Sequence, residues 1–269
     1  MLQTIINALK VKEIRRKVYM MLFLLLVFRI GCYIPVPGLK SDTFSELIKG
    51  NDFLSLMSSI TGGALSQGTL FALGIGPYIN ASIIMQLLSV GIPALERLSK
   101  QGEEGRKKIA QYTRFVTILL AIVQSIGIIL SFGETAVLTN EIFYGQSWLA
   151  YIFMTTVYTA GAFLVMWIGE RITDYGVGNG QSMIIFVGII STAGLQVFNK
   201  IVEIFTGSDP ASTIWELVAF LLVSAIIFFA IIYVDLSERS TYTIAKKITA
   251  HTNVNAISSQ MISPAVEPG

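Results

Sequence analysis

Six long apolar runs constrain the fold of this chain more than any other feature of its sequence. A helix needs about 20 apolar residues to cross the hydrocarbon core of a bilayer. Only 13% of the 269 residues are charged, about half the share found in soluble domains. The runs therefore predict an all-α, polytopic membrane protein with about six transmembrane helices. They lie at residues 18–34, within 69–90, and at 115–132, 149–168, 183–197 and 213–234.

The basic residues are distributed unevenly between the two ends of these runs. Fifteen of the 19 lysines and arginines fall before the first run, between the second and third, after the fourth or after the sixth. Because lysine and arginine concentrate in cytoplasmic loops, both termini are predicted to be cytoplasmic. The net charge of +2 is too small to indicate a nucleic-acid partner.

The chain is predicted to contain three regions. Residues 1–17 combine an apolar stripe with a basic cluster, which predicts an amphipathic helix on the cytoplasmic face of the membrane, next to anionic headgroups. A frayed basic leader is the alternative. The transmembrane domain is expected at 18–239, followed by a divergent cytoplasmic tail at 240–269.

Residues 51–68 form an apolar segment on the exterior side that is too short to cross the bilayer. Its glycine pair, Gly62 and Gly63, predicts a flexible hinge. Such a segment is tolerated at membrane depth only when it is buried in protein or lines a cavity. We therefore predict a short re-entrant helix here.

The second run has features that are unusual in a plain membrane anchor. Pro77, flanked by glycines, is predicted to kink or loosen the helix. The polar residues of this run should face other helices or a wet cavity rather than lipid. Ile75, Ile79 and Ile83 recur every four residues and share one face. Ordinary packing is the simpler interpretation of this stripe, and a pore lining is the alternative.

Three further features concern chemistry. Arg29 lies near the exterior end of the first run, where snorkelling to the interface is the simpler interpretation and lining a polar cavity the alternative. A single cysteine, Cys32, and a single histidine, His251, exclude an internal disulfide and a His-based catalytic triad in the membrane. The glycines at 176–180 predict a tight turn entering a helix rather than a phosphate loop. No enzyme activity, cofactor or metal site is predicted.

These features occur together in the SecY family, whose members are central subunits of bacterial protein-conducting channels. The chain resembles this family through ordered matches that run from the N-terminus to about Arg239. The matching motifs lie at residues 27–31, 35–37, 62–66, 71–75, 77–79, 81–88, 102–109, 111–114 and 176–180.

The resemblance implies three functional elements. A plug, roughly residues 53–65, would close the resting channel, a ring would seal around a moving chain, and a lateral gate would open towards lipid. The plug residues are Phe53, Leu56, Met57, Ile60, Gly62 and Gly63. The ring residues are Ile75, Ile79, Gln181 and Ile185, with Gln181 at a position that is usually aliphatic. The gate residues are Asn80, Ile83, Gln86 and Gln124.

The resemblance also implies partners and a location in the cell membrane. The partners would be the SecE and SecG subunits, the SecA motor or a ribosome, and precursors that carry signal sequences. Family members consist of two pseudo-symmetric halves of five helices each. The matches cover the first half and the sixth helix, so the chain is expected to be truncated and not to form a competent channel alone.

Two alternatives stay open at this point. A small-solute secondary transporter could also contain broken helices, but it would need a charged coupling residue near the midplane. The charged residues of the six runs, Arg29 and Glu216, each lie near one end of their run. A non-functional SecY fragment is the other alternative. An intramembrane hydrolase is remote, because the runs contain no histidine and no paired aspartates.

Overall fold

The computed structural model describes residues 11–132, 146–206 and 214–236. Within these ranges the chain is helical, apart from turns and isolated bridges such as the antiparallel one between Pro35 and Thr69. The helices are α1 (Lys12–Gly31), α2 (Ser41–Lys49), α3 (Asp52–Ile60), α4 (Gly76–Gly91), α5 (Pro93–Ser99), α6 (Glu103–Phe132), α7 (Ser147–Tyr175), α8 (Gly180–Thr206) and α9 (Ile214–Leu236).

The all-α, multi-pass architecture predicted from the apolar runs is confirmed. In the described residues, α6, α7, α8 and α9 are long and apolar enough to cross a membrane. A fifth span is possible if α4 and α5, which meet at a bend of 106°, count as one broken helix.

The predicted count of six spans is therefore not reproduced by length and composition alone, for two reasons. The 20-residue helix α1 carries basic residues near both of its ends, from Arg15 to Lys17 and at Arg29. Helix α4 has only 16 residues, which corresponds to about 24 Å at 1.5 Å per residue.

Helix α1 begins at Lys12 and continues without a break to Gly31. The described part of the predicted amphipathic helix, residues 12–17, thus belongs to the same helix as the first apolar run. Residues 1–10 and the predicted tail at 240–269 lie outside the described residues.

The prediction that Pro77 kinks the second span is wrong. The proline lies in the first turn of α4, which begins at Gly76, and residues 61–75 before it form turns rather than a helix. Proline is suited to this position because the first N–H groups of a helix have no intrahelical partner and its φ is already close to helical. The helix begins at the proline instead of bending there.

The turn before α8 agrees with its prediction. The Asn179 side chain accepts hydrogen bonds from the backbone N–H groups of Gln181 (3.0 Å) and Ser182 (3.5 Å), and so caps the start of the helix. The backbone N–H of Gly180 donates to the hydroxyl of Thr173 on α7 at 2.9 Å. These bonds fix the start of α8 against the last turns of α7.

The chain divides into two compact units, residues 1–196 and 197–269. The first unit contains two apolar clusters. One is built largely on α6 and α7 around Tyr158, and the other joins α1, α4, α7 and α8 around Phe28 and Ile75. In the second unit, α9 is apolar on all sides, with a mean hydropathy of 3.0 in its most apolar window. A helix of this kind is suited to lipid.

Candidate functional site

Helix α3 presents its apolar side outward, which is unusual for a short helix beside a membrane bundle. Its N-cap residue, Asn51, accepts hydrogen bonds from the N–H groups of Phe53 (3.1 Å) and Leu54 (3.3 Å). Ser58 is the buried residue of this helix, whereas Phe53 and Leu56 are 66% and 64% exposed. An exposed group of large apolar side chains indicates a surface that meets something other than water.

The turns after α3 are held by hydroxyl groups close in sequence. Thr61 donates to the carbonyl of Ser58 at 3.0 Å and accepts from the N–H of Leu65 at 3.3 Å. The N–H of Ser66 donates to the Ser58 hydroxyl at 3.2 Å. At Gly62 and Gly63, φ is 71° and 85°, in the left-handed region that favours glycine. The predicted glycine hinge is thus a compact, hydrogen-bonded turn.

The end of α3 lies between α1 and α8. The guanidinium of Arg29 on α1 donates to the carbonyl of Gly62 at 3.0 Å and to the Tyr33 hydroxyl at 2.9 Å. The hydroxyl of Thr192 on α8 donates to the carbonyl of Ser59 at 3.3 Å. Arg29 therefore contacts the predicted plug in addition to lying near the exterior end of its helix.

Three of the four predicted ring residues meet in the second apolar cluster of the first unit. Ile75 is buried in this cluster, and Ile79 and Ile185 pack against it partly buried. Gln181 lies beside it: a Cβ at Gly169 of α7 would stand 3.4 Å from Ile75 and 3.5 Å from the Gln181 side chain. Ala64, from the predicted plug, is fully buried in the same cluster. The structure thus brings the predicted ring and the end of the predicted plug together.

The predicted gate residues separate into two groups. Asn80 and Gln124 line a cavity of about 350 Å³, and Phe53 and Met57 of the predicted plug line it as well. Ile83 lies further along α4, where it is exposed, and so does Gln86. Among the residues that the structure describes, the lining of this cavity includes neither of the two. The sequence did not separate these two groups, because all four residues lie in apolar helices and the sequence does not show which of them face the cavity.

A charged contact at the other end of the bundle was not predicted. Arg114 of α6 and Glu170 of α7 form a two-pronged ion pair with N–O distances of 2.8 and 2.9 Å. Arg171 lies over the rings of Trp167 and Tyr175, 5.4 and 5.5 Å from their centroids. No sequence motif links residues 114 and 170, which are 56 positions apart. In the described ranges, no three His, Cys, Asp or Glu side chains lie close enough to hold a metal ion.

Fold and site together define a multi-pass membrane protein in which a short helix is docked against long apolar helices. The comparisons with known proteins narrow this class. The SecY family model matches residues 69–262. Protein translocase subunit SecY of Staphylococcus aureus (strain NCTC 8325 / PS 47) is 39% identical over 253 residues, which cover 93% of this chain. The corresponding protein of Staphylococcus epidermidis (strain ATCC 12228 / FDA PCI 1200) is 38% identical over the same length. The chain belongs to the SecY family.

Solved structures share the fold. A structure described as "The structure of a protein conducting channel" has a TM-score of 0.58 and 21% identity, covering 82% of this chain and 48% of that one. "Sec61 in the Canine ribosome-channel complex from the endoplasmic reticulum" has a TM-score of 0.57 and 21% identity, covering 81% of this chain and 48% of that chain. At this identity the likeness concerns the fold alone.

The chain matches only part of the length of its relatives. The chain spans 58% of the length of the Staphylococcus aureus relative. The family model continues past Arg239, where the recognised motifs end, as far as residue 262. The family likeness therefore extends into the region that was expected to be a divergent tail.

Proposed function

We propose that this chain supplies the plug, part of the constriction ring and part of the lateral gate of a protein-conducting channel, through which secretory and membrane precursors pass. The observation that carries the proposal is the meeting of Ile75, Ile79 and Ile185 with Ala64 in one apolar cluster. Neither the apolar runs nor the exterior segment alone would require that contact.

The chemistry of the ring suits a passage that must accept any amino-acid sequence. Aliphatic side chains are flexible, form no selective hydrogen bonds, and can close a narrow pore by excluding water. Gln181 would introduce one polar group, and its side chain lies close to that of Tyr78. We expect the ring to be wetter at this point than on the side of Ile75.

The cavity between the predicted plug and gate suits a signal sequence that has to leave the channel sideways. It is lined by apolar side chains of α3 and by the amide groups of Asn80 and Gln124. Polar side chains at a seam between helices can exchange hydrogen-bond partners, so they give a closed state that a hydrophobic signal sequence can displace. Asn80 and Gln124 are therefore the stronger gate candidates, and Ile83 and Gln86 the weaker ones.

The partners follow from the family. We propose SecE and SecG as accessory subunits, and SecA or a ribosome as the source of directed movement, since the sequence carries no nucleotide-binding motif. One solved relative of the same fold is described in a complex with a ribosome. The chain would lie in the cell membrane with both termini in the cytoplasm and would catalyse no reaction of its own.

Site-specific photo-crosslinking tests the proposal. A photoreactive amino acid is placed at codon 79 of the natural gene, and membranes are irradiated while a precursor is stalled during export. We expect crosslinks from position 79 to the precursor. The matched control is position 84, on the opposite face of the same helix, where the isoleucine is 38% exposed and crosslinks to lipid are expected. Equal labelling of the precursor from both positions, or none from position 79, would contradict the proposal.

A further inference from the structure

The last turn of α3 is joined to α8 through backbone carbonyls. The final carbonyls of any helix lack intrahelical partners. In α3 the Ser59 carbonyl accepts from the N–H of Gly62 in the following turn at 3.3 Å, and both this carbonyl and that of Ile60 lie against α8. The carbonyl of Ser59 accepts from the Thr192 hydroxyl at 3.3 Å, and the carbonyl of Ile60 lies over Gly188. The Thr192 hydroxyl is also within 3.3 Å of the Gly188 carbonyl, in its own helix.

Gly188 lets the two helices approach this closely. A Cβ at this position would stand 2.5 Å from the Ile60 carbonyl oxygen and 3.4 Å from the Gly62 nitrogen. Because both atoms belong to the backbone, no side-chain rotation could relieve the contact. Gly194, six residues along the same helix, differs: among the described residues, a Cβ there meets no atom within 4 Å. The requirement for glycine is therefore specific to the contact with α3.

The same turn also contacts α1. Arg29 donates to the carbonyl of Gly62, and the position of a Cβ on Gly62 would fall 2.7 Å from the arginine Nη1 and 3.2 Å from Gly188 Cα. Residues 59–62 thus contact Arg29 of α1 as well as the backbone of α8 at Gly188. These contacts bury little apolar surface, whereas Phe53 and Leu56 remain exposed.

We propose that Gly188 and Thr192 of α8, together with Arg29 of α1, are positioning residues that hold the plug in its closed position. The proposal rests on the function proposed above and assigns the control of plug release to residues outside the plug. Because each of these hydrogen bonds contributes only a small net free energy, also inside a membrane, the contacts can break and re-form. Such contacts suit a segment that has to move in each transport cycle.

Hydrogen–deuterium exchange of the full chain in lipid nanodiscs tests the proposal without depending on transport. In Gly188→Ala we expect the amides of residues 58–66 to exchange at least about tenfold faster than in the unsubstituted protein, because local opening becomes easier. The matched control, Gly194→Ala, makes the same chemical change in the same helix and should leave these amides unchanged. In both variants α8 itself should stay protected, since alanine favours helix more than glycine does.

Thr192 provides a second, independent test. Thr192→Val keeps the shape and removes the hydroxyl, and we expect exchange at 58–66 to rise by about threefold, as for the loss of one neutral hydrogen bond. Thr192→Ser keeps the hydroxyl and removes the methyl group. The amides of 58–66 should then be as protected as in the unsubstituted protein, which a purely steric role would not predict. Unchanged exchange in Gly188→Ala, or an equal rise in Gly194→Ala, would overturn the proposal. A failed crosslink at position 79 would instead count against the channel function and leave this exchange result standing.

Discussion

The predicted plug and the predicted ring are neighbours in this structure but are held in opposite ways. The ring lies in a packed cluster in which Ile75 is 5% exposed. Helix α3 of the predicted plug is held by a capping asparagine, hydroxyl groups and backbone carbonyls. Its large apolar side chains are mostly exposed, although Leu54 packs against the first cluster. The difference teaches that closeness in space does not imply a shared basis of stability. One region is suited to staying in place, and the other to leaving.

The largest expected difference between the two regions lies in apolar truncation. Ile75→Ala should lower the free energy of unfolding by about 2 kcal/mol, near the lower end of the range for a buried isoleucine. The value is low because in lipid the variant loses packing contacts but not the free energy of moving an apolar group out of water. Leu56→Ala, which removes an exposed side chain of α3, should cost less than about 0.5 kcal/mol. Reversible unfolding in mixed micelles measures both. Equal costs for the two variants would remove the distinction between the regions.

A smaller effect is expected from the cap of α3. Asn51→Ala removes the side chain that accepts from Phe53 and Leu54, and should destabilise the helix locally by about 1 kcal/mol. Amide exchange in the first turn of α3 should rise accordingly, with the ring cluster unaffected. The matched control is Lys40→Ala, at the start of α2, where the side chain makes no capping bond within the described part of the chain. If Asn51→Ala left exchange in α3 unchanged, or if Lys40→Ala raised exchange in α2 by the same amount, the cap would not explain how α3 is held.

The alternative of a small-solute transporter gains no support from the charged residues of the apolar runs, because Arg29 and Glu216 lie near the ends of α1 and α9. That reading needs a charged residue which faces a substrate path near the midplane. Among the described residues, Arg29 instead contacts the Gly62 carbonyl and the ring and hydroxyl of Tyr33, and it lies close to Cys32. These contacts agree with the proposed role of Arg29 in holding the end of α3.

Sequence alone predicted those parts of the molecule that depend on local pattern. Apolar runs located α6 to α9 because spanning length and composition are local properties. The turn before α8 was recognisable because its glycines and Asn179 lie next to each other. The family motifs were sufficient to bring Ile75, Ile79 and Ile185 forward as one group.

The parts that sequence did not predict depend on contacts between distant residues. Thr192 and Ser59 are 133 positions apart, and nothing near either residue indicates the other. Gly188 resembles the other glycines of apolar helices until the carbonyl of Ile60 is placed over it. Pro77 was misread for a related reason: a proline kinks a helix that continues past it, and the residues before this one turn back towards the end of α1 instead.

One measurement tests most directly the central claim, that the plug moves while the ring stays in place. Amide exchange of the natural protein in its membrane is compared before and after a precursor with a signal sequence is stalled in it. If the plug moves and the ring stays in place, we expect faster exchange at residues 58–66. Protection at residues 77–85 of α4 should be unchanged, because the helix that carries Ile79 remains formed. Loss of protection in both segments together, or in neither, would contradict the claim.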